Sequence, residues 1–150
     1  MHPTKTVRRN TYSALEYDQS QFIRVVQCVA KVLPEFCAAH QADAIVVRGT
    51  SGVSMAFGLR MVLDFPTVVA RKQGEASHSG FLDGVGGDMH VARYVFLDDF
   101  SCTGDTVRGV TVDMAPAVCA AVLAYRYAGP DKLPKLQNWI QLPCPYYEFG

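Results

Sequence analysis

The chain has 150 residues, with 14 basic and 14 acidic side chains that cancel to zero net charge, and 49% of it is hydrophobic. That length and composition suit one globular domain over residues 1–150 rather than a disordered chain. Balanced charge gives no electrostatic footprint for nucleic acid, no apolar run approaches the ~18 residues of a spanning helix, and the polar start Met1-His2-Pro3-Thr4-Lys5 is no signal peptide.

Phe22, Val25, Val26, Val29, Val32 and Leu33 recur at helical spacing and predict an amphipathic helix that stops at Pro34. Residues 44–47 form a short apolar run and predict a buried strand. It leads into Arg48-Gly49-Thr50-Ser51-Gly52 and then a helix from Val53 to about Leu63, closed by Pro66. Residues 67–70, β-branched, predict a second strand. Residues 71–90 are polar, hold five glycines and two histidines, and offer only Phe81-Leu82 as a β-like fragment. A connection of that length is usually functional or disordered; a lid over the strand ends is the functional expectation, and a poorly ordered hairpin is the alternative. Residues 91–97 predict a third strand, 107–114 a helix, and 118–127 a fourth strand. Strands apolar on both faces, alternating with helices, indicate an α/β fold. Its sheet would be central and mostly parallel, with about four or five strands flanked by helices.

The five cysteines, at 28, 37, 102, 119 and 144, are odd in number and include no C-x-x-C pair. This argues against a disulfide framework and a structural zinc site, so a reducing compartment, the cytoplasm, is expected.

The third predicted strand runs into Asp98-Asp99-Phe100-Ser101-Cys102-Thr103-Gly104-Asp105-Thr106. Two adjacent carboxylates at a strand end are acceptor-only groups, suited to gripping vicinal hydroxyls. The small polar turn after them offers backbone N–H groups and Thr hydroxyls to a phosphate at a helix N-terminus. This run resembles the phosphoribosyl-pyrophosphate loop of the type I phosphoribosyltransferases.

The resemblance extends to other segments. Arg48 to Gly52 looks like that family's pyrophosphate loop. Ala70-Arg71-Lys72-Gln73-Gly74-Glu75-Ala76-Ser77-His78-Ser79-Gly80 resembles the flexible catalytic loop of orotate phosphoribosyltransferases, with Glu75-Ala76 where those enzymes have a second lysine. Arg126 near Ala128-Gly129, followed by Trp139-Ile140-Gln141-Leu142-Pro143, is similar in order to bacterial xanthine-guanine phosphoribosyltransferases. The 6-oxopurine enzymes usually carry an Asp before the Thr-Gly pair, and this chain has Cys102.

What the resemblance implies is a type I phosphoribosyltransferase-like fold with a small hood made from the termini and the Trp139 segment. The activity would be Mg²⁺-dependent transfer of ribose 5-phosphate from phosphoribosyl pyrophosphate to a nucleobase, a purine before orotate, with release of pyrophosphate. Cys102, Thr103, Gly104, Asp105 and Thr106 would hold the 5′-phosphate and Asp98 and Asp99 the ribose hydroxyls, with Mg²⁺ contacted indirectly. Arg48, Gly49, Thr50, Ser51 and Gly52 would hold the pyrophosphate. Arg71, Lys72 and His78 would close over it, and Arg126, Trp139 and Ile140 would contact the base. A homodimer is the family's habit. A non-catalytic regulator sensing phosphoribosyl pyrophosphate is the alternative use of the same fold.

Overall fold

The computed structural model describes residues 4–7, 17–72, 82–101 and 103–150. Three helices and seven strands alternate along them: α1 (Gln19–Ala39), β1 (Ala44–Val47), α2 (Gly49–Arg60), β2 (Thr67–Ala70), β3 (Leu82–Val85), β4 (Arg93–Asp98), α3 (Asp105–Met114), β5 (Val118–Ala124), β6 (Pro134–Gln137) and β7 (Tyr146–Phe149). All seven strands join one sheet in the order β3-β2-β1-β4-β5-β7-β6. The five central strands are parallel, and the edge strands β3 and β6 run antiparallel to β2 and β7. The mostly parallel α/β sheet flanked by helices is as expected; seven strands replace the expected four or five.

Strand alternation divides the core in two. Ile45, Val47, Val95, Leu97, Ala121 and Leu123 face α1 and α2, while Val46, Tyr94, Phe96, Val122 and Ala124 face α3. Both faces are therefore apolar, which is why these strands read as continuous hydrophobic runs.

Several boundaries differ from expectation for identifiable reasons. Helix α1 begins with a capping box, in which the Asp18 carboxylate accepts from Gln21 N–H at 2.8 Å and the Gln21 side chain accepts from Asp18 N–H at 2.9 Å. It then continues through Pro34 to Ala39. Proline inside a helix costs about 3 kcal/mol. Burial of Phe36 and Cys37 beyond it, at roughly 1.5–3 kcal/mol for a large apolar side chain, offsets that cost. Helix α2 starts at Gly49 rather than Val53, so the predicted anion loop is the first turn of a helix. Strand β5 ends at Ala124, and the chain then turns, closed by Ala128 N–H to Tyr125 C=O at 2.8 Å.

Strands β6 and β7 escaped sequence reading because each has four residues, one opens on a proline and the other follows Pro143 and Pro145. Between them, Ile140, Leu142 and Cys144 pack against the core on the α3 side of the sheet. The segment expected to serve as a hood thus lies against that face.

Candidate functional site

Strands β1 and β4 are neighbours, and each passes directly into the opening of a helix. The crevice beyond parallel strand ends is where ligands bind in such sheets. Here it is a cleft of about 310 Å³ lined by Arg48 to Ser51, Lys72, Asp98 to Ser101, and Thr103 to Thr106.

Two helix N-termini face this cleft, and neither has a side-chain cap. First-turn N–H groups lack partners within the helix, and the helix dipole adds positive potential, so each end favours an anion. Gly49 opens α2 and Gly104 precedes α3, with φ of 74° and 82°. That left-handed region is one that side chains with a Cβ adopt only at a cost. Arg108 braces the second turn: one nitrogen donates to Thr103 C=O at 2.8 Å and to the Asp105 carboxylate at 3.3 Å, the other to Gln141 C=O at 3.1 Å.

The acidic pair lies between the two helix ends. Asp99 is buried, accepting from Phe100 N–H at 2.8 Å and from the Ser51 hydroxyl at 3.3 Å. Asp98 is half-buried and accepts from Asp99 N–H at 2.9 Å. Burial, and then the adjacent Asp99 charge, push the Asp98 carboxyl up to about 8, while Lys72 pulls weakly the other way. In an unfolded chain Asp98 ionises near 3.9. Between those values the folded state keeps a proton that the unfolded state has lost, so its stability falls as pH rises. Asp98→Asn is expected to flatten that slope and be more stable than wild type above about pH 8, read by denaturant titration from pH 4 to 9. Parallel pH profiles would show that Asp98 titrates normally.

Arg48 lines the cleft, but its guanidinium is already engaged. Nε donates to Ala70 C=O at 3.0 Å, and the fork pairs with the Asp113 carboxylate on α3. Its side chain therefore ties β2 to α3, and what the cleft receives is the backbone that follows it. Arg71 pairs with Asp83 of β3 at 2.6 Å and lines an adjoining hollow, which Lys72 shares. Gly52 is buried, and a Cβ there would come within 3.1 Å of Val47 Cβ, so a larger residue would press α2 away from β1 by a few tenths of an ångström.

Arg126 is exposed and is not among the residues that line the cleft, but its guanidinium lies over the ring of Phe100, which does, 4.7 Å from the centroid. Trp139 and Ile140 do not line it. The Trp139 ring stands edge-on to Tyr146 at 5.4 Å, and Ile140 packs into the α3-side core. His78 and Cys102 lie outside the described residues.

Sequence reading missed several supports of the site. Phe100 and Ser101 line the cleft, and their position between the acidic pair and Thr103 was the available signal. The Tyr125 hydroxyl donates to Ser51 C=O at 3.0 Å, and the Tyr146 hydroxyl accepts from Ser101 N–H at 3.1 Å while donating to Glu148 at 2.9 Å. Both lie far along the chain, Tyr125 just after β5 and Tyr146 in β7, and carry no local motif.

No protein-family model and no curated protein matches this chain. Among solved structures, the orotate phosphoribosyltransferase of Francisella tularensis superposes with a TM-score of 0.57 at 16% identity, covering 75% of this chain and 55% of that one. The UMP synthase of Leishmania donovani gives 0.51 at 19% identity, over 71% of this chain and 22% of that one. The orotate phosphoribosyltransferase of Aeropyrum pernix gives 0.50 at 16%, over 71% and 58%. The matched region is little more than half of the two orotate enzymes and about a fifth of the synthase. At these identities the likeness is one of backbone architecture: the chain has the type I phosphoribosyltransferase fold.

Proposed function

We propose that this protein is a phosphoribosyltransferase, moving ribose 5-phosphate from phosphoribosyl pyrophosphate to a ring nitrogen of a nucleobase and releasing pyrophosphate. The observation that carries this reading is the pair of uncapped helix N-termini on one cleft with Asp98 and Asp99 between them. Two anion-receiving ends separated by hydroxyl acceptors match a sugar with phosphate at one end and pyrophosphate at the other.

In the proposed mechanism the backbone donors of Thr103 to Thr106, with Cys102, hold the 5′-phosphate. Those of Gly49 to Gly52 hold the pyrophosphate, beside Lys72. Asp98 and Asp99 fix the ribose hydroxyls, which places C1′ between the leaving oxygen and the entering base. As the C1′–O bond breaks, positive charge spreads over the ribose ring and negative charge over the pyrophosphate. Catalysis then rests on positioning and fixed charge more than on a strong nucleophile. Arg71, Lys72 and His78 belong to the segment proposed to cover the leaving group and exclude water.

The acidic pair also fits Mg²⁺. Two carboxylates so close that one is held protonated to about pH 8 would be relieved by a nearby divalent cation. Among the described residues no cluster of three or more ligating side chains exists, which suits an ion bound largely through substrate oxygens and water. When bound, Mg²⁺ would neutralise charge on the pyrophosphate.

For the base, a 6-oxopurine is proposed first and orotate second. The support is Arg126, held over the cleft-lining Phe100, whose donors favour an exocyclic oxygen or a carboxylate over the amino group of adenine. A homodimer in the cytoplasm completes the proposal; among the described residues no helix is long and apolar enough to cross a membrane. The test is pyrophosphate release from phosphoribosyl pyrophosphate with Mg²⁺ and a panel of purines, pyrimidines and orotate. Turnover with guanine, hypoxanthine or xanthine is expected. Turnover of orotate alone would overturn the purine assignment, and binding without turnover of any base would make the protein a regulator.

A further inference from the structure

Cys119 of β5 and Cys144, two residues before β7, bring their thiols together on the α3 side of the sheet. The sulfurs are 3.4 Å apart, with the Cys144 thiol donating towards Cys119. The Tyr94 ring is wholly buried, with its hydroxyl beside the Cys119 thiol. A disulfide requires about 2.05 Å between sulfurs, so the pair must close by only about 1.4 Å. Neither thiol is fully buried, and Cys144 lines an open surface groove with Leu142 and Pro143, so a small oxidant can reach the pair.

We propose that Cys119 and Cys144 form a redox modification site, in which a peroxide converts the two thiols to a disulfide that staples residues 138–145 to β5. The first step is attack of the Cys119 thiolate on one peroxide oxygen. The O–O bond breaks, Cys119 becomes a sulfenic acid, and the departing hydroxide takes a proton to leave as water. Cys144 sulfur then attacks Cys119 sulfur, the S–O bond breaks, and the hydroxyl leaves with the Cys144 proton as a second water. Two thiols are oxidised and one peroxide is reduced to two waters. The contact itself sets the order of events. The donated hydrogen bond from Cys144 holds the Cys119 thiol below its ordinary range, while the same contact and burial raise Cys144.

The stapled segment touches the cleft. Leu142 Cδ2 sits 2.5 Å from where a Cβ on Gly104 would be, and Gln141 C=O receives Arg108. Oxidation therefore restricts the turn that opens α3. The chemistry stands whether or not the protein is a phosphoribosyltransferase.

The test treats reduced protein with hydrogen peroxide, alkylates remaining thiols and maps peptides without reductant. A Cys119–Cys144 cross-link is expected, reversed by dithiothreitol. In Cys144→Ser it is replaced by a sulfenic acid at Cys119 that dimedone traps. On the same samples, amide hydrogen exchange over residues 103–108 should slow by at least about fivefold in the disulfide form and stay unchanged in peroxide-treated Cys144→Ser. Full alkylation of both cysteines after peroxide, or cross-links to other cysteines instead, would overturn the site. A mapped cross-link with unaltered exchange would overturn its coupling to the cleft. Neither readout uses a phosphoribosyl ligand, so failure of the proposed activity is seen separately.

Discussion

Replacing Asp98 and Asp99 together by Asn is expected to weaken binding of phosphoribosyl pyrophosphate more than tenfold, which is above ~1.4 kcal/mol. Asn keeps the size of each side chain and an oxygen able to accept from Phe100 N–H and Asp99 N–H, at 2.8 and 2.9 Å in the native protein. What it removes is the single negative charge the pair keeps below about pH 8, and it adds an amide donor where a ribose hydroxyl must also donate. The fold survives, because the change deletes a carboxyl that burial already disfavours in its charged form. Loss of affinity without loss of structure separates the ligand role from a structural one. Calorimetry on the double variant decides it, and unchanged affinity would remove the pair from the site.

Gly104→Ala is expected to cost about 1–2 kcal/mol of stability and to reduce affinity for the sugar phosphate severalfold. Two penalties compete. A Cβ at this position would approach Leu142 Cδ2 at 2.5 Å, but that atom is the tip of a flexible side chain and can rotate away. The φ of 82° cannot be relieved without moving the backbone donors that open α3. The backbone term therefore dominates. Leu142→Ala in the same chain should recover little of the loss, whereas Gly104→Asn, which tolerates the left-handed region better, should lose less than Ala. Thermal unfolding and phosphate-ligand titration of the three variants test the ranking, and full rescue by Leu142→Ala would invert it.

The parts of the site that sequence revealed are those whose chemistry is contiguous along the chain. Asp98 to Thr106 and Arg48 to Gly52 each fall within one strand-to-helix junction, so residue type and order expose them. Arg48 shows the limit of that reading. Its place in the motif was visible, but its pairing with Asp113, 65 residues away, depends on how α3 packs across the sheet. Tyr125 and Tyr146 were hidden in the same way, since a buried tyrosine looks the same in sequence whether its hydroxyl supports a loop or not. Trp139-Ile140 had the right order for a base cover, yet order alone could not tell a segment over the cleft from one lying along the sheet. Strand β3 was half-seen, because Leu82-Asp83-Gly84-Val85 alternates only weakly and its pairing with β2 supplies most of the signal.

That antiparallel pairing has an evolutionary consequence. Ala70 and Leu82 lie directly opposite each other, so the chain leaves and re-enters the sheet at one fixed gate. Closing a loop between clamped ends costs an entropy that grows only logarithmically with length, about 0.6 kcal/mol for each doubling. For any connection between ends held in this way, a change in the number of residues shifts the closure cost only slightly. The backbone donors and acidic pair of the cleft, set in the junctions after β1 and β4, have no such latitude. Chain length between Ala70 and Leu82 is therefore open to change in a way that the two junctions beside the cleft are not.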